Sequence, residues 1–177
     1  FIFDKIMKLI TLVLVFGFTF MMVKEVYTSI RARKEVSEEK DFFENIKDKE
    51  ILVALKEYKE NPSYKTAYNL GWLFAKKKMW KNAIEFFEKA IKYNPSSFGS
   101  YNNIGNIYFH LGNLERAIEY WKISLKIKPD QIDARFNLGY AYYLRGELKL
   151  AAENLKKVLE IDPENAKAKI VLKKLYQ

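Results

Sequence analysis

The 177-residue chain contains no cysteine and a single histidine, His110. Without cysteine there is no disulfide framework, no thiolate zinc site and no cysteine nucleophile. A two-histidine metal site cannot be built from one histidine, and a Ser-His-Asp triad would have to use His110, which sits in no catalytic motif. The phosphate-cradling patterns G-x-x-x-x-G-K-[ST] and G-x-G-x-x-G are both missing. The Asn-Pro-Ser triplets at 61–63 and 94–96 are not glycosylation acceptors, because proline fills the middle position. Proline and glycine are sparse, and neither occurs between Gly17 and Pro62. These absences lead us to expect no enzyme, no cofactor and no metal, and they direct attention to binding and assembly.

Charge narrows the partners further. The net charge is +9, but the first 34 residues carry six Lys/Arg against two Asp/Glu, while the rest is only mildly basic with both signs interspersed. The one dense run, Lys76-Lys77-Lys78 with Lys81, reads as a solvated helix end. Nucleic-acid binding would want a basic stripe along one face. The pattern shows none, so no nucleic-acid partner is expected.

What the sequence does contain is a period. Tyr68-Asn69-Leu70-Gly71, Asn102-Asn103-Ile104-Gly105 and Phe136-Asn137-Leu138-Gly139 are three copies of one tetrapeptide, 34 residues apart. Each glycine is followed twelve residues on by an alanine (Ala83, Ala117, Ala151) and twelve further by a proline (Pro95, Pro129, Pro163). Within each copy the apolar positions fall at helical spacing. In the first, Leu70, Leu73 and Phe74 mark helix A over about Ser63–Lys77. Ala83, Phe86, Phe87 and Ala90 mark helix B over about Trp80–Tyr93. A glycine inside helix A costs about 1 kcal/mol against alanine. We expect a neighbouring helix backbone to pass there, with the alanines playing the same part on helix B. Gly112 and Gly146 stand between A and B, where a left-handed turn residue is wanted, and the first copy has Lys78 instead.

A 34-residue period carrying these markers resembles the tetratricopeptide repeat family over about residues 64 to 165. The resemblance implies an all-α fold, an α-solenoid of three helix pairs at 62–97, 98–131 and 132–165. The ends of such a stack must be closed. Residues 166–177 read as a C-terminal capping helix, with Ile170, Leu172 and Leu175 packing back and Lys167, Lys169, Lys173 and Lys174 facing water. Residues 31–61 read as a charged helical stalk ending in an N-terminal cap helix at Asp48–Glu60.

Residues 1–30 form an apolar helix in this reading, with fifteen uncharged residues from Leu9 to Val23. With no glycine or proline after Gly17, one helix from near the start to about Glu60 is expected, roughly 90 Å long. A mature chain starting at phenylalanine, an apolar helix and an amphipathic continuation carrying a globular domain together resemble type IV pilins and pseudopilins. That resemblance implies a filament subunit whose apolar helices bundle, with Asp4 pairing with the amine of a neighbouring Phe1. Lys5 and Lys8 would then need partners in the core. A single-pass membrane anchor fits the same segment, and a removed targeting segment is a third reading. The corresponding locations are a cell-surface or extracellular filament, or a membrane protein whose side is left open.

In tetratricopeptide repeats the concave groove is built from helix A. The resemblance implies a groove of Tyr68, Asn69 and Trp72 with Lys65 and Lys76, then Asn102, Asn103, Asn106, Phe109 and His110. The third repeat adds Phe136, Asn137, Tyr140 and Tyr143 with Asp133. This is an aromatic groove with an asparagine centre. Asn69, Asn103 and Asn137 resemble the asparagine ladder of peptide-binding arrays, and the same asparagine also belongs to the general family pattern. Members that hold the C-terminal carboxylate of chaperones use a lysine/asparagine/arginine clamp. Here only Asn103 matches, with Tyr68, Trp72, Tyr140 and Leu144 at the other positions. The expected partners are therefore protein chains: copies of this one in a filament, or a partner peptide held by a membrane-anchored scaffold.

Overall fold

A computed structural model describes residues 21–31, 33–34 and 46–176, which fall in two units, Phe1–Lys47 and Asp48–Gln177. In the first unit, residues 21–31 and 33–34 are helical (α1) and exposed. Among the described residues no helix is long and apolar enough to cross a membrane. The expectations for Phe1, Asp4, Lys5, Lys8 and most of the apolar run lie outside the described residues.

The second unit is a row of helices: α2 (Lys49–Glu60), α3 (Tyr64–Lys76), α4 (Trp80–Tyr93), α5 (Phe98–His110), α6 (Leu114–Ile127), α7 (Ile132–Leu144), α8 (Leu148–Ile161) and α9 (Ala166–Leu175). Each packs on the next, and the tightest pairs are α3 with α4, α5 with α6 and α7 with α8. These are the helix pairs that the 34-residue period predicts. α3 also touches α5, and α7 touches α9, so the first helix of each pair lines one side of the stack.

The single unbroken helix expected through Glu60 is not what forms. Residues 46–48 are not helical. The Asp48 carboxylate accepts from the amides of Glu50 (3.0 Å) and Ile51 (3.2 Å), capping a fresh helix, and pairs with Lys77 at 2.7 Å. An aspartate with free amides ahead of it starts a helix better than it continues one, because it competes with the backbone for those donors. The Lys77 ammonium, with those amides, holds the Asp48 carboxyl below its usual range, and Asp48 in turn raises Lys77. Side-chain caps recur along the row. Ser63 and Thr66 form a reciprocal capping box on α3, and Asn113 and Asn165 cap α6 and α9.

The core runs down the middle of the row. Leu70, Phe74, Ala83, Phe87 and Ala90 are fully buried in the first pair, as are Ile104, Ala117 and Trp121 in or near the second. A buried ring of this size contributes about 2–3 kcal/mol. The helix A glycines are close-packing positions, but a side chain rather than a helix backbone presses on them. A Cβ on Gly71 would lie 2.7 Å from the Phe87 ring, and one on Gly105 would lie 2.7 Å from the Trp121 indole. At Gly139 the neighbours are Leu155 at 3.0 Å and Asn154 at 3.2 Å. Lys78, Gly112 and Gly146 all take positive φ, at 58°, 75° and 77°, so one turn geometry is kept whether or not glycine is present.

The closing helix packs differently from expectation. Ala168, Val171 and Leu172 are its buried residues, Leu175 is partly buried, and Ile170 is 56% exposed. Positions 168, 171, 172 and 175 form one continuous stripe at helical spacing, and Ile170 lies off it.

Candidate functional site

The groove side of α5 and α7 holds a cluster of asparagines whose orientation can be assigned from chemistry. Trp121 Nε1 donates to Asn106 Oδ1 at 3.0 Å. An indole nitrogen can only donate, so the atom facing it must be the amide oxygen. Asn137 Nδ2 donates to the same oxygen at 3.0 Å, tying α7 to α5. Asn106 Oδ1 is thus used twice, while its amide N–H groups donate to no protein group among the described residues. One helical turn earlier, Asn102 Oδ1 is buried and finds no partner there either. A buried acceptor left unpaired costs about 1–3 kcal/mol. Asn103 Nδ2 donates to the Tyr68 hydroxyl at 3.0 Å, linking α5 back to α3.

Asn102, Asn103, Asn106 and Asn137 line an open cavity of about 640 Å³ with Ile132, Asp133, Phe136, Asp162, Glu164, Asn165, Ala166 and Lys167. Its floor is amide and its rim is acidic. Asp162 Oδ1 accepts from the Glu164 amide and Oδ2 from Asn165 Nδ2, holding the turn between α8 and α9 against the groove. Glu164 pairs with Lys169 at 3.0 Å. Asp133, in the first turn of α7, is exposed.

The aromatic residues lie beside this cavity rather than in it. Phe136, which does line it, stacks on Tyr140 at 6.1 Å and 5° between planes; Tyr140 stacks on Tyr143 and sits 6.2 Å from Phe109. Phe109 packs on Trp121 at 5.8 Å. The result is a half-buried aromatic ledge that runs from the amide floor toward the far end of α7.

Of the residues named from sequence, the structure brings Asn102, Asn103, Asn106, Asp133, Phe136 and Asn137 into one cavity, with Phe109, Tyr140 and Tyr143 on the ledge. The others stand apart. Tyr68 lays its ring on Phe87 and reaches the groove through its hydroxyl. Asn69 is exposed and lines no described cavity. Trp72 is 50% exposed, with the Lys76 ammonium 5.3 Å from its ring. His110 stacks flat on Trp80, centroids 5.5 Å apart and 8° between planes.

Two contributors escape a reading by groove position. Trp121 belongs to helix B and looks like core, yet its N–H orients the amide floor. The acidic rim comes from the turn after the third repeat. That turn reads Asp162-Pro163-Glu164-Asn165 where the first repeat has Asn94-Pro95-Ser96-Ser97, a change of charge that the repeat register exposes once it is looked for.

Comparison with known proteins agrees with this architecture. Family models described as tetratricopeptide repeat match residues 64–97, 132–165 and 86–119, and one described as TPR repeat matches 105–146. No curated protein matches the chain significantly. Among solved structures, the first TPR of Spaghetti (RPAP3), bound to the HSP90 peptide SRMEEVD, is 22% identical with a TM-score of 0.62, covering 65% of this chain and 91% of that one. The Arabidopsis OM64 TPR domain is 24% identical with a TM-score of 0.61, covering 64% and 94%. MamA is 23% identical with a TM-score of 0.66, covering 80% and 76%. At these identities the likeness is one of fold, and with the matched models together spanning residues 64–165, the chain belongs to the tetratricopeptide repeat family.

Proposed function

We propose that this chain is a protein-interaction scaffold whose concave face holds an extended segment of a partner polypeptide. The observation that carries this reading is the asparagine floor. It offers open donors on Asn106 and an orphaned acceptor on Asn102 beside each other. A peptide backbone presents the complement, N–H and C=O groups in alternation. The ledge of Phe109, Tyr140 and Tyr143 supplies rigid apolar area next to that floor, as binding surfaces do. A fold relative, the first TPR of Spaghetti, is bound to a peptide, which supports the reading as a protein-interaction scaffold.

The test is selection of peptides from a random twelve-residue library on the full chain, followed by titration of the selected peptides against Asn102→Ala and Tyr140→Ala. Neither variant removes a hydrogen bond made within the protein. Loss of at least tenfold in affinity in both is expected. Selected peptides that bind both variants as they bind wild type would place the site elsewhere.

A second reading, self-assembly, is supported by the two ends of the row. Leu52 and Val53 on α2 are 42% and 68% exposed, and Ile170 and Tyr176 at the other end are 56% and 69% exposed. Apolar side chains left open at both ends of a solenoid suit head-to-tail contact between copies. The apolar run Leu9–Val23 would then lie in a filament core or, for the scaffold, in a membrane. Sedimentation of the full chain in detergent distinguishes these. Assembly that survives Val53→Lys with Ile170→Lys is not mediated by the repeat ends.

A further inference from the structure

We propose that the cavity between α5, α7 and the start of α9 is an arginine subsite, so that the bound segment carries an arginine at this point. The inference rests on the groove being a peptide site and goes beyond it by naming the side chain that the cavity selects. Three features converge there. Asn102 lines the cavity, and its buried Oδ1 lacks a donor among the described residues. The lining carries three carboxylates, Asp133, Asp162 and Glu164, against one lysine, Lys167, in a chain whose net charge is +9. Phe136 brings an aromatic ring to the same cavity.

A guanidinium answers all three at once. It has five N–H donors in a fixed plane, enough to satisfy Asn102 Oδ1 and still pair with a carboxylate. It stacks on aromatic rings and is more weakly hydrated than an ammonium, so it enters a half-buried cavity more readily than lysine does. Asp133 is the carboxylate best placed to pair with it. Asp162 is spent on the turn before α9 and Glu164 on Lys169, whereas Asp133 makes no ion pair or hydrogen bond among the described residues and shares α7 with Phe136 one turn on. The basic charge of the chain as a whole repels a cationic peptide at long range. Preference for arginine must therefore come from this local arrangement, and it is separable from non-specific electrostatics, which would favour acidic peptides.

The probe is the capped tripeptide Ac-Ala-Arg-Ala-NH2, with its citrulline, lysine and glutamate counterparts, titrated into the ¹⁵N-labelled full chain while the asparagine side-chain amide and tryptophan indole signals are followed. Saturable shifts of the Asn102 and Asn106 amides and the Trp121 indole are expected with the arginine peptide. Affinity should fall at least tenfold for citrulline, which keeps the shape and most donors but loses the charge, and threefold or more for lysine. Asp133→Asn should weaken the arginine peptide at least fivefold, while Asp133→Glu restores most of it. Equal binding of the arginine and citrulline peptides, or an Asp133→Asn variant that binds as wild type, overturns the subsite and leaves the peptide groove standing. Arginine peptide that shifts none of these signals also overturns the subsite, and the groove is then judged separately by the library-selected peptides.

Discussion

In the first repeat the residue packed over the helix A glycine is Phe87; in the second it is Trp121, at the same position 34 residues on. Both rings are fully buried and both lie 2.7 Å from where a glycine Cβ would be. As packing they are equivalent. They differ in one heteroatom. The Phe87 ring ends in carbon, and the groove side of the first repeat carries Tyr68 packed on that ring and Trp72 under Lys76. The Trp121 ring ends in an N–H that reaches Asn106 and fixes its amide. A core position thereby orients a surface group in the second repeat and leaves it alone in the first. The groove gains its chemistry where the scaffold has a polar handle, and the repeats stay interchangeable where it has none.

The largest expected effect breaks the packing common to both. Gly105→Ala drives a Cβ into the Trp121 indole. It should destabilise by about 2–3 kcal/mol as an overpacked core position, after the gain in helix propensity is set against it. Gly71→Ala should behave alike. Gly139→Ala, facing Leu155 Cγ at 3.0 Å and Asn154 Cβ at 3.2 Å, should cost about 1 kcal/mol less than the other two, since its neighbours need shift by less than a ring at 2.7 Å. Thermal unfolding of the three variants checks the order, and equal losses would mean that the ring is not the obstacle.

Trp121→Phe sharpens the comparison by giving the second repeat the first repeat's ring. We expect a loss of about 1–2 kcal/mol in stability from the smaller ring and the missing bond. Affinity for selected peptides should fall by more than that of the reciprocal first-repeat change, Phe87→Trp. Denaturant titration and peptide titration on the same samples read both.

The turns offer a gentler contrast. Lys78 holds φ +58°, where the other repeats use glycine. A non-glycine residue in the left-handed region costs about 1–2 kcal/mol, of which glycine's extra chain entropy returns about half. Lys78→Gly should raise stability by roughly 0.5–1 kcal/mol, visible as a higher denaturant midpoint at unchanged slope. Gly112→Ala should lower it by a similar amount.

The smallest effect belongs to the cap helix α2, where Tyr58 meets Tyr93 of the first repeat. Desolvation, then the hydrogen bond with Tyr93, pushes the Tyr58 hydroxyl up to about 12 from an ordinary value near 10. A group whose folded value lies above its unfolded value adds stability that is fully present below pH 10 and lost as pH rises through 12. The melting temperature should therefore fall between pH 10 and 12, and Tyr58→Phe should flatten that part of the profile. The difference between the two proteins is the quantity to measure.

Much of the architecture was legible from the repeat register. Leu70, Phe74, Ala83, Phe86, Phe87 and Ala90 are buried as helical spacing requires, and the turn residue is left-handed even where lysine replaces glycine. The floor of the candidate site was legible as a set of asparagines at groove positions. Its acidic lining as a whole was not, because the Asp162–Asn165 turn and the Asp133 end of α7 are far apart in sequence and meet only after the third repeat and the closing helix have packed. A cap helix over Asp48–Glu60 was legible, whereas the interruption just ahead of it was not. A charged run without glycine or proline favours continuation locally, and the cap is settled by Lys77, which arrives from the next helix pair.

By itself, then, the sequence determined the period, the helix pairs, the buried stripe and the absence of cysteine chemistry. Those depend on residue type and short-range spacing, which the chain carries wherever it goes. The tertiary structure alone decided which asparagine atoms are satisfied and which are left open. An amide has two ends of nearly equal shape, and only a neighbour such as the Trp121 indole, able to donate and never to accept, determines which end faces the groove.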